Sequence, residues 1–209
     1  MPRTPSTASR NEVNFTVKLA PSQMLFLGGL KTPLRVSSEQ QVLREVLDAF
    51  RSWFWLPVYQ RQRLEQELAQ KKTHILQYLQ ELLARRFEEL GVRAAPATSR
   101  PRRTTARARP VPTEPEVAVP FAIRISPDLL AYADSLKPAL QKNATADVIR
   151  ELVEHVETWC LLPRYQGDRL QQDMVARGLN HLEYLQEVLA RRYEAIRDEP
   201  VASPRGRKR

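Results

Sequence analysis

The sequence predicts a mainly α-helical protein in which two tandem units share one two-stranded antiparallel ribbon. Three observations predict this fold. The chain of 209 residues repeats itself at a spacing of 106 positions. Each copy opens with a short segment of alternating apolar and polar residues, which is typical of a half-buried strand. Apolar residues at helical spacing follow each of these segments.

The internal repeat aligns residues 13–90 with residues 119–196 without a gap, and 27 of the 78 positions are identical. Repeats that form solenoids are about 20–50 residues long, so a spacing of 106 indicates a duplicated domain. The predicted organisation is a disordered arm at 1–12, a first repeat at 13–90, a basic linker at 91–118, a second repeat at 119–196 and a basic tail at 197–209.

The two predicted strands lie in VNFTVKLAP, residues 13–21, and in VPFAIRISP, residues 119–127. A single strand is marginal in water, and a repeat of this size buries only a modest core. If a local two-fold axis relates the repeats, their strands pair antiparallel and solve both problems. The residues expected to face the helices are Phe15, Val17, Leu19, Phe121, Ile123 and Ile125.

A short helix is predicted after each strand. Pro21 and Pro127 suit a first helical position, and Ser126 suits the N-cap before the second of these prolines. We expect these helices to end near Leu30 and Leu136.

A second, amphipathic helix follows in each repeat. Its apolar stripe extends to Phe54 in the first copy and to Cys160 in the second, and the Leu-Pro pairs at 56–57 and 162–163 should break it. The candidate N-caps are Ser37 or Ser38 in the first copy and Asn143 or Thr145 in the second. Residues 58–90 and 164–196 should form further helix in two pieces, because Gly178 and Asn180 interrupt the second copy.

Several classes of protein lack support in the sequence. No apolar run is long enough to cross a bilayer, and no hydrophobic segment follows the basic N-terminus, so we expect a soluble, cytoplasmic protein. Cys160 lies in an apolar rhythm and should be a core residue. The three histidines lack the spacing of a metal site, and no phosphate loop or nucleophile elbow occurs. We therefore predict no catalytic residue, no metal and no cofactor.

A strand, a short helix, a turn and a longer helix containing VLREVL or VIRELV resemble the ribbon-helix-helix family of DNA-binding proteins, which includes the MetJ and Arc repressors. The resemblance covers roughly residues 13–54 and 119–160. It implies that the two units intertwine, that the ribbon enters the major groove of double-stranded DNA and that its outward side chains contact base edges. The residues carried over to this role are Asn14, Thr16, Lys18, Ala122 and Arg124, with Pro120 beside them.

The resemblance also implies phosphate contacts at the N-terminus of the second helix in each repeat. The matching residues are Ser37, Ser38, Asn143 and Thr145. Two features depart from the family. No glycine precedes the second helix, and Pro120 and Ala122 offer no side-chain hydrogen bond, which favours an asymmetric DNA site over a palindrome.

The net charge of +9 is unevenly distributed. The repeats carry +3 and −2, whereas the linker carries +4 and the tail +3. Basic segments of this kind are expected to follow a phosphate backbone. The tail, SPRGRKR, resembles the core of an AT-hook, which implies minor-groove contacts by Arg205, Gly206 and Arg207. Lys208 stands where that motif commonly has proline. The alternative is a nonspecific basic arm, or in a eukaryote a nuclear import signal, that includes Lys208 and Arg209.

The last helix of each repeat carries a second apolar stripe, which would pack across the pseudo-dimer or bind another protein. Glu81 with Arg85 and Glu187 with Arg191 have the spacing of surface ion pairs, which leaves the neighbouring arginines unassigned. The sequence therefore favours a transcriptional regulator or nucleoid-associated factor built as a single-chain pseudo-dimer that could oligomerise further. The alternative is a helical adaptor with a purely structural ribbon.

Overall fold

The computed structural model of the protein describes residues 12–92 and 118–199. Within these ranges it is mainly helical, with one two-stranded antiparallel sheet, as predicted. The elements are β1 (Val13–Leu19), α1 (Pro21–Leu34), α2 (Glu39–Arg51), α3 (Val58–Lys71), α4 (Ile75–Val92), β2 (Val119–Ile125), α5 (Pro127–Leu140), α6 (Thr145–Glu157), α7 (Arg164–Ala176) and α8 (His181–Ile196). None of these described helices is both long enough and apolar enough to cross a membrane.

The sheet pairs β1 with β2 in a register that is symmetric about its centre. Val13 lies opposite Ile125, Leu19 lies opposite Val119, and Thr16 lies opposite Ala122 at the midpoint. Thr16 and Ala122 occupy the same position in the two repeats. The strands therefore pair as a local two-fold axis through their centre requires.

The alternation in each strand corresponds to its two faces. Val17, Leu19, Ile123 and Ile125 are at most 2 % exposed. Phe15 and Phe121 are half-buried and pack against the same core. The predicted inward set is therefore confirmed.

The two repeats are intertwined through their helices and strands. β1 packs against α6 of the other repeat, and β2 packs against α2. Helix α2 also packs against α5 and α6, while α1 contacts α6. One core consequently runs through both repeats, and neither strand has its full set of partners within its own half of the chain.

The starts of the helices agree with the sequence in three of four cases. Pro21 begins α1, and the side chains of Ser126 and Ser38 cap α5 and α2 by accepting hydrogen bonds from backbone amides. The prediction of Asn143 or Thr145 as the cap of α6 is wrong. Ala144 holds that position without a side-chain cap, because Thr145 is already the first helical residue.

The first helices extend four residues beyond the predicted ends, to Leu34 and Leu140. Each ends at a left-handed residue, Arg35 with φ of 56° and Gln141 with φ of 55°. In the first copy the amides of Arg35 and Val36 donate to carbonyls of the last turn, which closes the helix. A non-glycine residue thus adopts the left-handed conformation at each of these helix ends, at a cost of about 1–2 kcal/mol.

Helices α2 and α6 end five residues before the Leu-Pro pairs, so the predicted ends are wrong. Three consecutive left-handed residues follow each helix after one C-cap position, and their φ angles lie between 50° and 60°. They are Trp53, Phe54 and Trp55 in the first copy and Trp159, Cys160 and Leu161 in the second. Trp53, Phe54, Trp159 and Cys160 are buried, so this turn keeps the predicted core residues in the core after the helix has ended.

The C-terminal half of each repeat consists of two helices, as predicted. Helix α4 packs against α7 and α8, and α3 packs against α8, so these four helices join the repeats a second time. The apolar stripes of α4 and α8 contribute buried residues to this contact. Packing across the pseudo-dimer, the first of the two predicted uses, is confirmed for the stripe.

Candidate nucleic-acid interface

The outer face of the sheet presents six exposed side chains in three facing pairs. Asn14 lies opposite Arg124, Thr16 lies opposite Ala122, and Lys18 lies opposite Pro120. These are the outward residues predicted from the alternation. The two strands carry two cationic side chains and no carboxylate, so this face is positively charged.

The dimensions of this face match the major groove. Seven residues at about 3.3 Å per residue give a ribbon about 20 Å long, with strands about 4.8 Å apart. The major groove of B-DNA is about 12 Å wide and admits a two-stranded ribbon together with its side chains. The outer face could therefore lie along the floor of the groove.

The two ends of the ribbon differ in chemistry. At one end Asn14 and Arg124 supply a carboxamide and a guanidinium, the groups that form bidentate hydrogen bonds with adenine and guanine. At the other end Lys18 offers an ammonium group, whereas Pro120 offers no hydrogen-bonding side chain. Hydrogen-bonding capacity is therefore concentrated at the Asn14–Arg124 end.

Two side-chain contacts connect helix α2 with the ribbon and its approach. The Gln40 side chain donates a hydrogen bond to the backbone carbonyl of Ala122 at 2.9 Å. Arg44 forms an ion pair of 2.8 Å with Glu12, immediately before β1. Gln40 could not be identified from the repeat, because alanine occupies the matching position 146 in the second copy.

The N-terminus of α2 retains the predicted serines. Ser38 caps the helix, while the amide and the hydroxyl of Ser37 both donate to the Gln41 side chain at 2.9 Å. Glu39 in the first turn is held by Lys31 at 2.6 Å, and the hydrogen bond from this lysine lowers the pKa of Glu39. Ser37 and Ser38 thus lie together beside a carboxylate that already has its own cation.

Two carboxylates lie at the N-terminus of α6, beside the predicted phosphate contacts. The Thr145 hydroxyl donates to the carboxylate of Asp134, and Asp147 lies in the first turn. Hydrogen bonds from Lys137 and then Thr145 lower the pKa of Asp134, so it is ionised at neutral pH. Asn143 is exposed just before this helix. Lys137 lies 2.7 Å from Asp134, and Arg150 lies 2.8 Å from Asp147. The charges beside Asn143 and Thr145 are therefore balanced by cations, as the charge of Glu39 is at the start of α2.

A reciprocal pair of charged clusters, which sequence analysis missed, joins the repeats behind the ribbon. Arg192 donates to Glu67 of the first repeat, and Tyr78 donates to the same carboxylate at 2.6 Å. In the mirrored arrangement Arg86 and Tyr184 donate to Asp173 at 2.8 and 2.7 Å. These six residues, the paired clusters, occupy matching positions in the two copies. That coincidence of arginine, acid and tyrosine is the signal that could have identified them.

Protonation equilibria agree with this arrangement. Burial alone raises the pKa of Glu67, but hydrogen bonds from Arg192, Tyr78 and Lys71 lower it to about 2. Burial and the hydrogen bond to Glu67 raise the pKa of Tyr78. The carboxylate is therefore charged and the phenol neutral at neutral pH, as the hydrogen bonds require.

The surface ion pairs predicted on the last helices are formed in one copy. Arg191 lies 2.9 Å from Glu187, as expected. Glu81 instead lies 3.5 Å from Lys71, and the predicted Glu81–Arg85 pair is absent from the described part of the chain. The predicted tail contacts, Arg205, Gly206, Arg207, Lys208 and Arg209, lie outside the described residues, as do the arm before residue 12 and most of the linker.

Comparison of the chain with protein-family models, with curated proteins and with solved structures gives no match.

Proposed function

We propose that the chain is a noncatalytic DNA-binding protein of the ribbon-helix-helix type, acting as a transcriptional regulator or nucleoid-associated factor in the cytoplasm. Each of its tandem repeats would contribute one strand of the ribbon, as each subunit does in a ribbon-helix-helix dimer. The outer face of the β1–β2 ribbon enters the major groove of double-stranded DNA, where its side chains contact base edges.

The symmetric register of the ribbon is the observation that carries this proposal. It places Asn14, Thr16 and Lys18 of β1 and Arg124 of β2 on one exposed face, while the opposite face is closed by the shared core. An exposed, cationic ribbon without carboxylates is suited to DNA, because phosphates attract it and its polar side chains can contact bases.

The proposed DNA site is asymmetric. Asn14 and Arg124 would contact adenine and guanine at one end of the ribbon, and Lys18 would contact guanine at the other. Ser37 and Ser38 at the start of α2, with Asn143 and Thr145 at the start of α6, would contact phosphates. The basic linker and the tail at 205–209 would follow the backbone or the minor groove and add affinity without base preference.

The adaptor hypothesis receives no comparable support. Its docking surface was the apolar stripe of the last helices, and the leucines of that stripe are buried between the repeats. We therefore propose one function.

Selection of preferred sequences from random DNA duplexes tests this function. The wild-type chain should enrich an asymmetric motif, and the triple variant Asn14→Ala, Thr16→Ala and Lys18→Ala should lose that preference while keeping its fold. Since a good base contact is worth about 1–3 kcal/mol, we expect the ratio of specific to nonspecific affinity to fall by about 100-fold or more.

Arg85→Ala is the matched control, because it removes one positive charge from an exposed position on α4. This control should keep the motif and change only the salt-dependent affinity. If the triple variant enriches the same motif as the wild type, Asn14, Thr16 and Lys18 do not contact the bases.

A further inference from the structure

A pocket of about 140 Å³ lies between α4 and α8, where the two repeats meet a second time. The ribbon and the helix N-termini proposed to contact DNA do not line it. Its eight lining residues are four pairs from matching positions of the two copies: Leu82 with Val188, Arg85 with Arg191, Arg86 with Arg192, and Glu89 with Ala195. The local two-fold axis that relates the repeats therefore passes through this pocket.

Four of the lining residues are arginines, and Glu89 is the one carboxylate among them. The outer pair, Arg85 and Arg191, is exposed, and the inner pair, Arg86 and Arg192, is partly buried. The two larger apolar residues of the pocket are at most 7 % exposed. Because apolar walls exclude water from one side of the charges, an anion is attracted here more strongly than at an open surface.

The carboxylates around the pocket do not balance its arginines. Arg85 forms no ion pair or hydrogen bond with another described residue, and the other three arginines pair with carboxylates outside the pocket. Each of those three carboxylates also pairs with a second cation, which is Lys71 or Arg177. The connected network and Arg85 together hold six cations and five carboxylates, which leaves one positive charge. The cations are Lys71, Arg85, Arg86, Arg177, Arg191 and Arg192, and the carboxylates are Glu67, Glu81, Glu89, Asp173 and Glu187.

The arginines also retain hydrogen-bond donors that no described carboxylate occupies. Arg191 and Arg192 each use Nε and Nη2 for one carboxylate, which leaves Nη1 available. In Arg86 both terminal nitrogens are used, whereas Nε is buried without an acceptor. Guanidinium groups form strong, often paired hydrogen bonds with phosphate oxygens. The pocket therefore offers the donors of a phosphate site.

Glu89 is the one charged lining residue whose charge is missing from the matching position, which is Ala195. Its carboxylate is 61 % exposed and lies 3.1 Å from Nη1 of Arg86. An ion pair as exposed as this one contributes little stability. An incoming anion can therefore compete with Glu89 for Arg86.

We propose that this pocket binds one phosphate group, either free inorganic phosphate or the terminal group of a small phosphomonoester. The volume lies below the range of about 300–1,000 Å³ for drug-sized ligands, so it suits a group of this size. A tetrahedral anion has two-fold axes of its own, so it makes equivalent contacts with Arg85 and Arg191 on the two sides of the local axis. This site is separate from the proposed DNA interface, so each can fail without the other.

Calorimetric titration of the full-length chain with inorganic phosphate, in a chloride buffer, tests the proposal. We expect saturable binding of one phosphate per chain and at least tenfold weaker binding of acetate, which carries a planar group and a single charge. The double variant Arg85→Gln and Arg191→Gln should weaken phosphate binding at least tenfold. Titration with phenyl phosphate distinguishes the two sources, since tighter binding than that of inorganic phosphate assigns the pocket to a phosphomonoester and weaker binding assigns it to free phosphate.

A charge-matched control and a gain of affinity keep the test decisive. Lys72→Gln with Arg164→Gln removes two exposed charges elsewhere, one from each repeat, and should leave phosphate binding unchanged. Glu89→Ala, which installs the residue of the second copy, should tighten phosphate binding several-fold because it removes the competing carboxylate.

The absence of saturable phosphate binding would overturn the proposal. Equal losses of affinity in the two double variants would overturn it as well, because phosphate would then respond only to the net charge of the chain. Weaker binding after Glu89→Ala would contradict the assignment of this pocket, and this single variant tests the site even if the Arg85 and Arg191 double variant fails to fold.

Discussion

Replacement of Val17 by aspartate is expected to unfold the protein. Val17 is 1 % exposed and lies on the inner face of the ribbon, in the core shared by the two repeats. An aspartate there would bury a carboxylate without a partner, which costs more than about 4 kcal/mol. A domain is usually stable by about 5–15 kcal/mol in total, so a loss of this size is a large fraction of the stability and unfolds a domain at the lower end of that range.

Thr16→Asp is the matched control, because it introduces the same side chain one residue earlier on the exposed face. Unfolding in urea, followed by circular dichroism, should shift by less than about 1 kcal/mol for this variant. Its DNA binding should nevertheless be lost, since a carboxylate at the centre of the ribbon repels the phosphates. If Val17→Asp and Thr16→Asp had similar free energies of unfolding, position 17 would not be buried on an inner face with position 16 exposed on the outer face.

Removal of the Arg192 side chain should produce the second large loss of stability. Arg192→Ala leaves the Glu67 carboxylate, 7 % exposed, without its partner from the other repeat. Breaking a buried ion pair costs about 3–5 kcal/mol, and we expect about 2–4 kcal/mol here because Lys71 still lies 3.1 Å from Glu67. Arg191→Ala, which affects a neighbouring surface pair, should cost about 0.5 kcal/mol or less.

A double-mutant cycle with Glu67→Gln separates the pair from its surroundings. If the two residues interact as described, the double variant should be less destabilised than the sum of the single variants. Additive effects in urea unfolding would contradict a direct Arg192–Glu67 interaction.

The cluster of Glu67, Tyr78 and Arg192 should make the free energy of unfolding depend on pH in the acidic range. The pKa of Glu67 is about 2 in the folded protein and 4.5 ordinarily, so the carboxylate contributes stability that is fully present above about pH 4.5. This contribution should disappear as the pH falls from 4.5 towards 2. Arg192→Ala should flatten that part of the profile, and an unchanged profile between pH 2 and pH 5 would contradict the assignment.

Much of the ribbon could be predicted from the sequence because its signals are local and duplicated. The alternation of apolar and polar residues identified both strands. The internal repeat implied that they pair antiparallel, with equivalent positions of the two repeats opposite each other at the centre. The same alternation identified the outward residues, including Thr16 and Arg124. In a strand with one exposed face, alternate residues face the core and the solvent, so the alternation of apolar and polar residues identifies both faces.

The helix ends could not be predicted as well, because no glycine or proline marks them. Arg35 and Gln141 adopt the left-handed conformation normally signalled by glycine. The turn after α2 is left-handed through two tryptophans and a phenylalanine, so local propensity favours its continuation as helix. Burial of Trp53 and Phe54 compensates for this unfavourable backbone, and burial is a property of the tertiary fold.

The paired clusters needed long-range information for the same reason. Glu67 and Arg192 are 125 positions apart, so helical spacing could not connect them. The sequence singled out only the arginines of these clusters, Arg86 and Arg192, as repeated residues without an assigned partner.

Duplication within one chain also explains why the halves differ. In a dimer of identical subunits, one substitution in the gene alters both subunits. In this chain a substitution can alter one repeat and leave the other unchanged. Asn14 corresponds to Pro120 on the ribbon, and Thr16 corresponds to Ala122. The asymmetric DNA site is proposed from these differences.

Photo-crosslinking from the centre of the ribbon tests the proposed DNA interface most directly. A benzophenone attached to Thr16→Cys would report contact with the selected duplex, and the native Cys160 should not be labelled because it is buried and burial raises the pKa of its thiol. Val175→Cys on α7, where the native side chain is 64 % exposed, is the control. We predict crosslinks to bases from position 16 and not from position 175. Crosslinks from position 175 with none from position 16 would contradict the proposal that this ribbon binds DNA.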